Sequence, residues 1–297
     1  MSGCENPRRL PPWLKKRLPC GGEFGKVAGV LKDFGLNTVC SAAHCPNRAE
    51  CHSQGTATFM IMGDICTRGC AFCAVTKGRP AALRDDEPEA LAQAAQAMGL
   101  RYVVITSVTR DDLADGGARH FVRTISAVKQ QIPGVLVEVL TSDFGGDTVA
   151  IDTVLAAEPD VFDHNIETVP RLYDAIRKPG VTGARARYDR SLAVLEHAAR
   201  QSPRNHRVKS GLMLGAGETD DEISAVLGEL RQVGVEILTL GQYLAPSSDH
   251  WPVERYVTPE RFEEWKMAAL AMGFGAVLAG PFVRSSYKAH EAYDALR

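Results

Sequence analysis

From residue 58 onwards, short apolar runs alternate with segments whose apolar residues recur at helical spacing, and the alternation occurs six times. Apolar strands that alternate with helices are typical of a parallel sheet covered by helices. Six β–α units are fewer than a standard closed barrel has, so the pattern favours an open doubly wound sheet or a partial barrel. The predicted strands are Thr58–Gly63, Tyr102–Thr106, Val135–Thr141, Val161–Asn165, Val208–Leu214 and Val235–Leu240, and the predicted helices lie near 88–98, 118–131, 148–157, 189–201, 220–233 and 259–272.

The composition excludes several functional classes. With 297 residues, 45% of them hydrophobic, the chain can bury a barrel-sized core. Its 34 basic and 36 acidic residues nearly balance, which removes the electrostatic argument for binding nucleic acid or a membrane surface. No apolar run reaches the roughly 18–20 residues that span a bilayer, and the N-terminus lacks a secretory h-region. We therefore expect a soluble, cytoplasmic protein without nucleic-acid or membrane partners.

Six of the eight cysteines lie between residues 40 and 73, in two groups of three. Three cysteines are an odd number for disulfides and one fewer than a closed tetrahedral zinc site requires. Three thiolates can instead bind three irons of a [4Fe–4S] cluster and leave the fourth iron open. The first triplet is Cys40, Cys45 and Cys51, spaced C-x4-C-x5-C, and the second triplet is Cys66, Cys70 and Cys73, spaced C-x3-C-x2-C.

Other readings of both triplets remain open at this point. The second triplet is also compatible with structural zinc, or with a cluster that Cys4 or Cys20 completes. The first triplet would form a zinc site if His44 or His52 supplied a fourth ligand, and it is also compatible with a merely structural cluster. Zinc sites usually contain cysteine pairs separated by two to four residues, and only the first gap of this triplet fits. In a reducing cytosol, clustered cysteines bind metal more often than they form disulfides.

The second triplet directly follows the first predicted strand. In parallel α/β sheets and barrels, ligands bind at the carboxyl ends of the strands, so the second triplet is expected at that edge. The segment before it, 1–55, is rich in proline and glycine. We interpret this segment as an irregular extension that brings the first triplet to the same edge.

The C-x3-C-x2-C motif resembles that of the radical S-adenosylmethionine superfamily, whose members form a six-unit partial barrel. Longer segments resemble the lipoyl synthase family in particular, and the resemblance extends from about residue 10 to 290. It implies an α/β fold, a partial (βα)6 TIM-like barrel at 56–275, with the irregular extension 1–55 and a short C-terminal segment 276–297. The segments that carry it are 38–47, 50–51, 57–60, 63–70, 112–118, 164–173, 209–215 and the Arg-Ser-Ser-Tyr segment 284–287.

The resemblance also implies a reaction with two [4Fe–4S] clusters and S-adenosylmethionine as cofactors. The second triplet would bind the cluster that reduces S-adenosylmethionine and yields a 5′-deoxyadenosyl radical. The radical would remove hydrogen from an octanoyl chain attached to a carrier lysine. The auxiliary cluster of the first triplet would supply sulfur at C6 and C8, which would make the protein a sulfurtransferase.

In the family, a serine of the Arg-Ser-Ser-Tyr segment is the fourth ligand of the auxiliary cluster. The matching residue here is Ser286, with its neighbour Ser285 as the alternative. A serine oxygen is a harder ligand than a thiolate and suits iron less well. The iron it holds would therefore be the easiest to lose, as expected of a cluster that gives up sulfur.

Contacts to S-adenosylmethionine are expected from residues that follow the predicted strands. A glycine pair lets the backbone approach a ligand closely. A plain turn, and for Arg190 a solvated helix position, are the alternative readings. The predicted contacts are Asp115, Gly116, Gly117, Asn165, Glu167, Arg190 and Lys209.

The implied partners are octanoylated lipoyl carrier domains. These belong to the acyltransferase subunits of 2-oxoacid dehydrogenases and to the glycine cleavage carrier protein, and ferredoxin or flavodoxin would donate electrons. One rival is another radical enzyme with an auxiliary cluster. A second rival is an iron–sulfur protein without enzyme activity that senses redox state or carries clusters. Binding of S-adenosylmethionine would exclude the second rival.

Overall fold

The computed structural model describes residues 10–16, 24–201 and 206–297. Cys4 and Cys20, considered above as a fourth cluster ligand, lie outside the described residues. In the described ranges, eight strands form the main sheet, in the order β1-β2-β5-β6-β7-β8-β9-β10, and β3 pairs with β4 separately. The strands are β1 (Asn37–Thr38), β2 (Thr58–Ile61), β3 (Ile65–Cys66), β4 (Thr76–Lys77), β5 (Tyr102–Ser107), β6 (Leu136–Leu140), β7 (Val161–Asp163), β8 (Arg207–Leu214), β9 (Ile237–Gln242) and β10 (Ala276–Gly280).

The strands of the main sheet are parallel, except that β1 pairs antiparallel with β2. From β2 to β10 their spatial order follows their order in the chain. A doubly wound sheet reverses its strand order at a switch point, whereas a barrel does not. The sequential order therefore identifies an open, partial barrel, and the predicted α/β class and partial-barrel architecture are confirmed.

Helices connect the strands and cover the outside of the sheet. They are α1 (Phe24–Asp33), α2 (Val39–Ala42), α3 (Arg48–Ser53), α4 (Glu87–Ala97), α5 (Ala118–Gln131), α6 (Thr148–Leu155), α7 (Pro170–Ile176), α8 (Tyr188–Arg200), α9 (Asp220–Gln232), α10 (Pro259–Ala271) and α11 (Ala289–Asp294), with 3-10 turns at Pro12–Leu14 and Phe144–Gly146. None of the helices in the described ranges is both long and apolar enough to cross a bilayer.

Local sequence explains why the helices form and how they pack. On α5, Phe121, Ile125 and Val128 recur at helical spacing and are fully buried. Burial of each such side chain contributes about 1.5–3 kcal/mol. On α9, Thr219 and Glu222 form a reciprocal capping box that satisfies the free amides of the first turn.

The structure differs from the sequence expectation at both ends of the chain. The segment predicted to be irregular contains α1, α2 and α3, and its β1 joins the main sheet. At the other end, β10 pairs with β9 and adds a strand from the segment predicted as a C-terminal extension. β10 reads Ala-Val-Leu-Ala-Gly, so it carries little bulk, and its pairing with β9 is a long-range contact that local patterning does not reveal.

Candidate metal and cofactor site

A cavity of about 500 Å³ opens at the carboxyl ends of the barrel strands, a volume typical of small-molecule sites. Residues that directly follow β5, β6, β7 and β9 form its wall. Both triplets reach it, the second with all three cysteines and the first with two. The lining includes Cys40, Cys45, Cys66, Cys70, Cys73, Arg68, Thr109, Leu140, Ser142, His164, Asn165, Glu167, Arg177, Leu212, Met213, Tyr243, Leu244, Arg284, Ser285 and Ser286.

The second triplet lies on a tight loop that begins at the end of β3. The amide of Thr109 donates to Cys66 Sγ at 3.4 Å, and the loop amide of Ala71 donates to the Ile176 carbonyl at 2.7 Å. A Cβ on Gly69 would lie 2.4 Å from the Pro179 carbonyl, and one on Gly180 would lie 1.8 Å from the Thr67 carbonyl. The loop and the segment after α7 therefore pack backbone to backbone, and this contact requires glycine on both sides.

The half-buried cysteines of the second triplet lie together beside one guanidinium. Burial raises the pKa of Cys73 to about 12, and the nearby Cys70 and Cys66 add to the shift. Burial also raises the pKa of Cys70, while Arg177 opposes it. Burial disfavours the charge of Arg177, but Cys70, Tyr173 and Glu167 outweigh burial and hold its pKa above the usual value. The three sulfurs thus share one small, cation-flanked space, which suits thiolates bound to a metal cluster.

Within the same loop, Arg68 ties the second triplet to the barrel. Its guanidinium donates to Asp111 through Nε at 3.0 Å and Nη2 at 2.8 Å, and to Asp143 at 2.5 Å. The side chains of Arg68 and Asp143 are 3% and 0% exposed. Burial alone would raise the pKa of Asp143, but its bonds to Arg68 dominate and lower it to about 2. The loop is therefore fixed by a buried ion pair.

Replacing Arg68 with methionine is expected to lower the free energy of unfolding of the metal-free protein by about 3–5 kcal/mol, because it leaves a buried carboxylate without its partner. Urea unfolding followed by circular dichroism measures the change. Arg187→Met is the matched control. Its ion pair with Asp189 is exposed, so its loss should cost about 1 kcal/mol or less. Equal losses in the two variants would contradict the role assigned to Arg68.

The first triplet lies on two short helices and the turn between them. Cys40 is on α2, Cys45 follows in the turn and donates its amide to the Cys40 carbonyl at 3.1 Å, and Cys51 is on α3. Burial raises the pKa of Cys51 to about 12, and the charges of Cys40 and Cys45 contribute next. The three sulfurs are thus close enough to oppose one another's ionisation, an arrangement that bound iron would stabilise.

The two neighbouring serines of the Arg-Ser-Ser-Tyr segment point to different places. The hydroxyl of Thr58 donates to Ser286 Oγ at 2.8 Å, and Thr58 also hydrogen-bonds Cys40, which partly offsets the effect of burial on the pKa of that thiol. Ser286 therefore lies beside the first triplet. The hydroxyl of Ser285 instead donates to Asp163 at the end of β7.

Polar contacts join the helices of the first triplet to the C-terminal segment. Asn47 Nδ2 donates to the Phe282 carbonyl at 2.6 Å, and the Tyr287 hydroxyl donates to Glu50 at 2.9 Å. Lys16 pairs with Glu50, and its ammonium lies 4.6 Å from the centre of the Phe282 ring. These contacts hold Ser286 and the first triplet against each other, although they are far apart in sequence.

The residues present fit iron–sulfur clusters and a polar organic cofactor. All six cysteines of the triplets are free thiols. In the described ranges, no three His, Cys, Asp or Glu side chains converge closely enough to hold a single metal ion. Asn165 Oδ1 and Arg177 Nε are buried at the cavity without a hydrogen-bond partner in the described part of the chain. Because buried polar atoms are normally paired, a ligand with polar groups would satisfy them.

The predicted contacts to S-adenosylmethionine are placed differently from one another. Asn165 and Glu167 line the cavity, and Arg177 lies 3.7 Å from Glu167. Burial raises the pKa of Glu167, with Arg177 and Asn165 opposing that shift. Of the predicted set, these two remain candidates for cofactor binding.

The turn at Asp115 packs against the core at the start of α5. A Cβ on Gly116 would lie 3.0 Å from the Phe144 ring, and one on Gly117 would lie 2.2 Å from Met62 Sδ. Asp115 accepts the amide of Gly117 at 3.0 Å. The two glycines therefore allow the start of α5 to pack on the core, and none of the three residues lines the cavity.

Arg190 and Lys209 both contact carboxylates of the protein. Arg190 donates to Asp143 at 3.4 Å and lies outside the cavity lining. Lys209 is fully buried in the barrel, where its ammonium lies 2.6 Å from Glu138 Oε1. Its charge is thus already neutralised within the protein, which removes the reason to assign it to a cofactor carboxylate.

Sequence reasoning missed Arg68 and Arg177. Arg68 lies inside the C-x3-C-x2-C motif, but its partners Asp111 and Asp143 follow other strands. Arg177 is brought to Cys70 by the close packing of the loop after α7. The position of Arg68 inside the cysteine motif was a sequence signal that this residue belongs to the site. Arg177 is far from the motif in sequence, so it had no comparable signal.

Solved structures with related folds share this architecture. The chain superposes on the FeFe-hydrogenase maturase HydG from Carboxydothermus hydrogenoformans with a TM-score of 0.59 and 14% identity, covering 80% of this chain and 56% of that one. It superposes on SuiB from Streptococcus suis, solved with the precursor peptide SuiA, with a TM-score of 0.55 and 10% identity, covering 86% and 51%. The chain thus spans about half the length of each, and the likeness shows the fold alone.

Sequence comparisons identify the family. The model of the Radical SAM superfamily matches residues 60–230, and that of the N-terminal domain of lipoyl synthase matches residues 3–45. The lipoyl synthase of Syntrophotalea carbinolica is 54% identical over 280 residues, which cover 94% of this chain and 88% of that protein. That of Thermus thermophilus is 51% identical over 287 residues, covering 96% and 87%. The chain therefore belongs to the lipoyl synthase family of the radical S-adenosylmethionine superfamily.

Proposed function

We propose that this protein converts octanoyl groups on carrier lysines to lipoyl groups by inserting sulfur at C6 and C8, and that it is a sulfurtransferase. The observation that carries the proposal is that both triplets reach one cavity, whose lining includes Cys66, Cys70 and Cys73 as well as Cys40 and Cys45. Radical formation and sulfur donation can therefore act on one bound substrate.

The two triplets have separate roles in this proposal. When bound, the cluster of the second triplet supplies the electron that cleaves S-adenosylmethionine to methionine and a 5′-deoxyadenosyl radical, and the auxiliary cluster of the first triplet supplies sulfur. Ser286 is the proposed fourth ligand of the auxiliary cluster. Its contact with Thr58, which also bonds Cys40, supports this choice over Ser285.

Three residues of the cavity wall are proposed to bind S-adenosylmethionine. Arg177 offers an unpaired Nε to the carboxylate of the cofactor, and Asn165 offers an unpaired oxygen to its ammonium or hydroxyl groups. Glu167 adds negative charge beside them. Arg177 and Glu167 lie close enough to Cys70 to influence the pKa of its thiol, and a cofactor bound by them would lie beside the second triplet.

The loop after β9 contributes Tyr243 and Leu244 to the cavity wall and is hydrogen-bonded to the cysteine loop. The Trp251 amide donates to the Ala71 carbonyl within the cysteine loop at 2.9 Å, and its indole donates to the Ala216 carbonyl at 2.8 Å. The Tyr243 hydroxyl holds the same residue through its carbonyl at 2.6 Å. A reactive radical requires exclusion of solvent, and this role is proposed for the loop. Leu140, Leu212 and other apolar lining residues suit an acyl chain.

The proposed substrates are octanoylated carrier domains of 2-oxoacid dehydrogenases and of the glycine cleavage system, with ferredoxin or flavodoxin as reductant. Membership of the lipoyl synthase family supports a lipoyl carrier substrate. We place the reaction in the cytoplasm, where thiols remain reduced.

Mass spectrometry tests this function. The anaerobically reconstituted protein is given reductant, S-adenosylmethionine and a peptide with an octanoylated lysine. The expected result is a peptide that gains two sulfur atoms while 5′-deoxyadenosine forms. Cleavage of S-adenosylmethionine without sulfur transfer would contradict the assignment of octanoylated lysine as the substrate. Absence of cleavage in iron-loaded protein would favour a redox sensor or a cluster carrier.

A further inference from the structure

Three ionisable side chains form a buried network inside the barrel, with Lys209 between two carboxylates. Lys209 Nζ lies 2.6 Å from Glu138 Oε1 and 3.8 Å from Asp163 Oδ2, and all three side chains are at most 1% exposed. The Tyr102 hydroxyl donates to the second oxygen of Glu138 at 2.6 Å. Glu138, Asp163 and Lys209 come from the neighbouring strands β6, β7 and β8. Charges this deep are retained only with partners, and this cluster has one carboxylate more than it has cations.

The network also binds the C-terminal segment. Lys209 Nζ donates to the carbonyl oxygen of Ser285 at 2.7 Å, and the hydroxyl of Ser285 donates to Asp163 Oδ2. The carbonyl and the hydroxyl of Ser285 are therefore both held by the barrel interior. Lys209 and Asp163 are paired in register on adjacent strands, so together they form one binding site for Ser285.

The contacts of Ser285 with Asp163 and Lys209 also restrict the neighbouring residue, Ser286. Consecutive Cα atoms are about 3.8 Å apart, so anchoring Ser285 restricts the positions that Ser286 can reach. Ser286 in turn accepts a hydrogen bond from Thr58 beside the first triplet. The barrel interior and the auxiliary site are thus connected through two adjacent serines.

We propose that Asp163 and Lys209 are positioning residues that anchor Ser285 and thereby hold Ser286 as the fourth ligand of the auxiliary cluster. The inference rests on the proposed function, which makes Ser286 that ligand. Loss of the anchor leaves the three cysteines in place but frees the serine, so the iron it binds is released more readily.

Because the network has one carboxylate more than it has cations, replacing Asp163 can test its positioning role without destabilising the fold. Removing Asp163 leaves Lys209 and Glu138 as a neutral pair, and Asp163 Oδ1 has no hydrogen-bond partner in the described part of the chain. Asp163→Leu therefore removes an excess charge and an unsatisfied oxygen, and we expect the fold to persist. A residue that only stabilised the barrel would lower the Tm when replaced.

The test uses the full chain with Cys66, Cys70 and Cys73 replaced by alanine, so that only the auxiliary cluster is loaded. Anaerobic release of the first iron, as Fe²⁺, to a chelator is timed. The three-iron form is followed by parallel-mode electron paramagnetic resonance, which detects its integer-spin state. The Tm of the metal-free protein is recorded. Asp163→Leu and Ser285→Ala should release iron on the order of tenfold faster than the parent, in proportion to a lost charge-assisted hydrogen bond. Their Tm should match that of the parent.

Three variants calibrate the result. Asp163→Asn keeps an acceptor oxygen and should release iron more slowly than Asp163→Leu. Asp152→Leu removes a carboxylate from a half-exposed pair with His197 and should leave the rate unchanged. Ser286→Ala sets the rate that follows from complete loss of the serine ligand.

The outcomes distinguish failure of the anchoring role from failure of the assignment of Ser286 as a cluster ligand. If Ser286→Ala releases iron at the parental rate, the ligand assignment itself is wrong. If Ser286→Ala is fast while Asp163→Leu and Ser285→Ala remain parental, the anchor is overturned and the ligand assignment stands. A fall in Tm that accompanies the faster release would make the network a stabilising one and overturn the positioning role.

Discussion

Replacing Cys70 with alanine is expected to reduce 5′-deoxyadenosine formation to the level of a reaction without enzyme. Cys70 is the middle cysteine of the second triplet, and its thiol is buried beside Arg177 in the cavity. With two thiolates left, the cluster loses the ligand set that leaves one iron open for S-adenosylmethionine. Chromatography of reactions containing reductant and S-adenosylmethionine measures the nucleoside.

The first triplet provides an internal control in the same variant. Its three cysteines are on α2, α3 and the turn between them, away from the loop that carries Cys70. The Cys70→Ala protein should therefore still bind the iron of one cluster. Persistent cleavage of S-adenosylmethionine would remove the second triplet from its assigned role.

Replacing Cys45 with alanine is expected to abolish sulfur insertion while leaving cleavage of S-adenosylmethionine intact. The variant should still cleave S-adenosylmethionine, because the second triplet is intact, but it should insert no sulfur into an octanoylated peptide. Cys45 is close to both Cys40 and Cys51 and lines the cavity, so its loss removes a ligand from the auxiliary cluster. Nucleoside and peptide products are measured in the same reactions.

The products of the two variants distinguish the roles of the two triplets. Cys70→Ala loses both products, whereas Cys45→Ala loses only the sulfur-containing one. Lipoyl product from the Cys45→Ala variant would show that sulfur does not come from the first triplet. Cys20→Ala is the matched cysteine variant, and a loss of cleavage there would favour the alternative in which Cys20 completes a cluster.

Local patterning was sufficient for the elements that build the barrel. The strand predicted at Val208–Leu214 is observed as Arg207–Leu214, and the helix predicted at 259–272 is observed as Pro259–Ala271. The strand ends directly before Gly215, and the helix begins at a clear signal, the N-cap Thr258 followed by Pro259, so tertiary contacts do not override these local preferences. The same pattern placed the second triplet correctly after the first barrel strand.

Features that depend on distant partners were not predictable. Lys209 is a lysine in an apolar strand, which indicates a buried charge with a partner. The sequence does not show that this partner is Glu138 on another strand rather than a bound cofactor. Likewise the choice between Ser285 and Ser286 depends on Asp163 and Thr58, which only the folded chain brings near them.

The measurement that tests the central claim most directly follows the source of the sulfur. The protein is reconstituted with heavy-isotope sulfide, freed of excess sulfide, and allowed one round of reaction with an octanoylated peptide in the presence of ordinary sulfide. We predict a lipoyl product that contains two heavy sulfur atoms, together with loss of iron from the first triplet but not from the second. A product that contains ordinary sulfur, with both clusters intact, would contradict the division of roles between the two triplets.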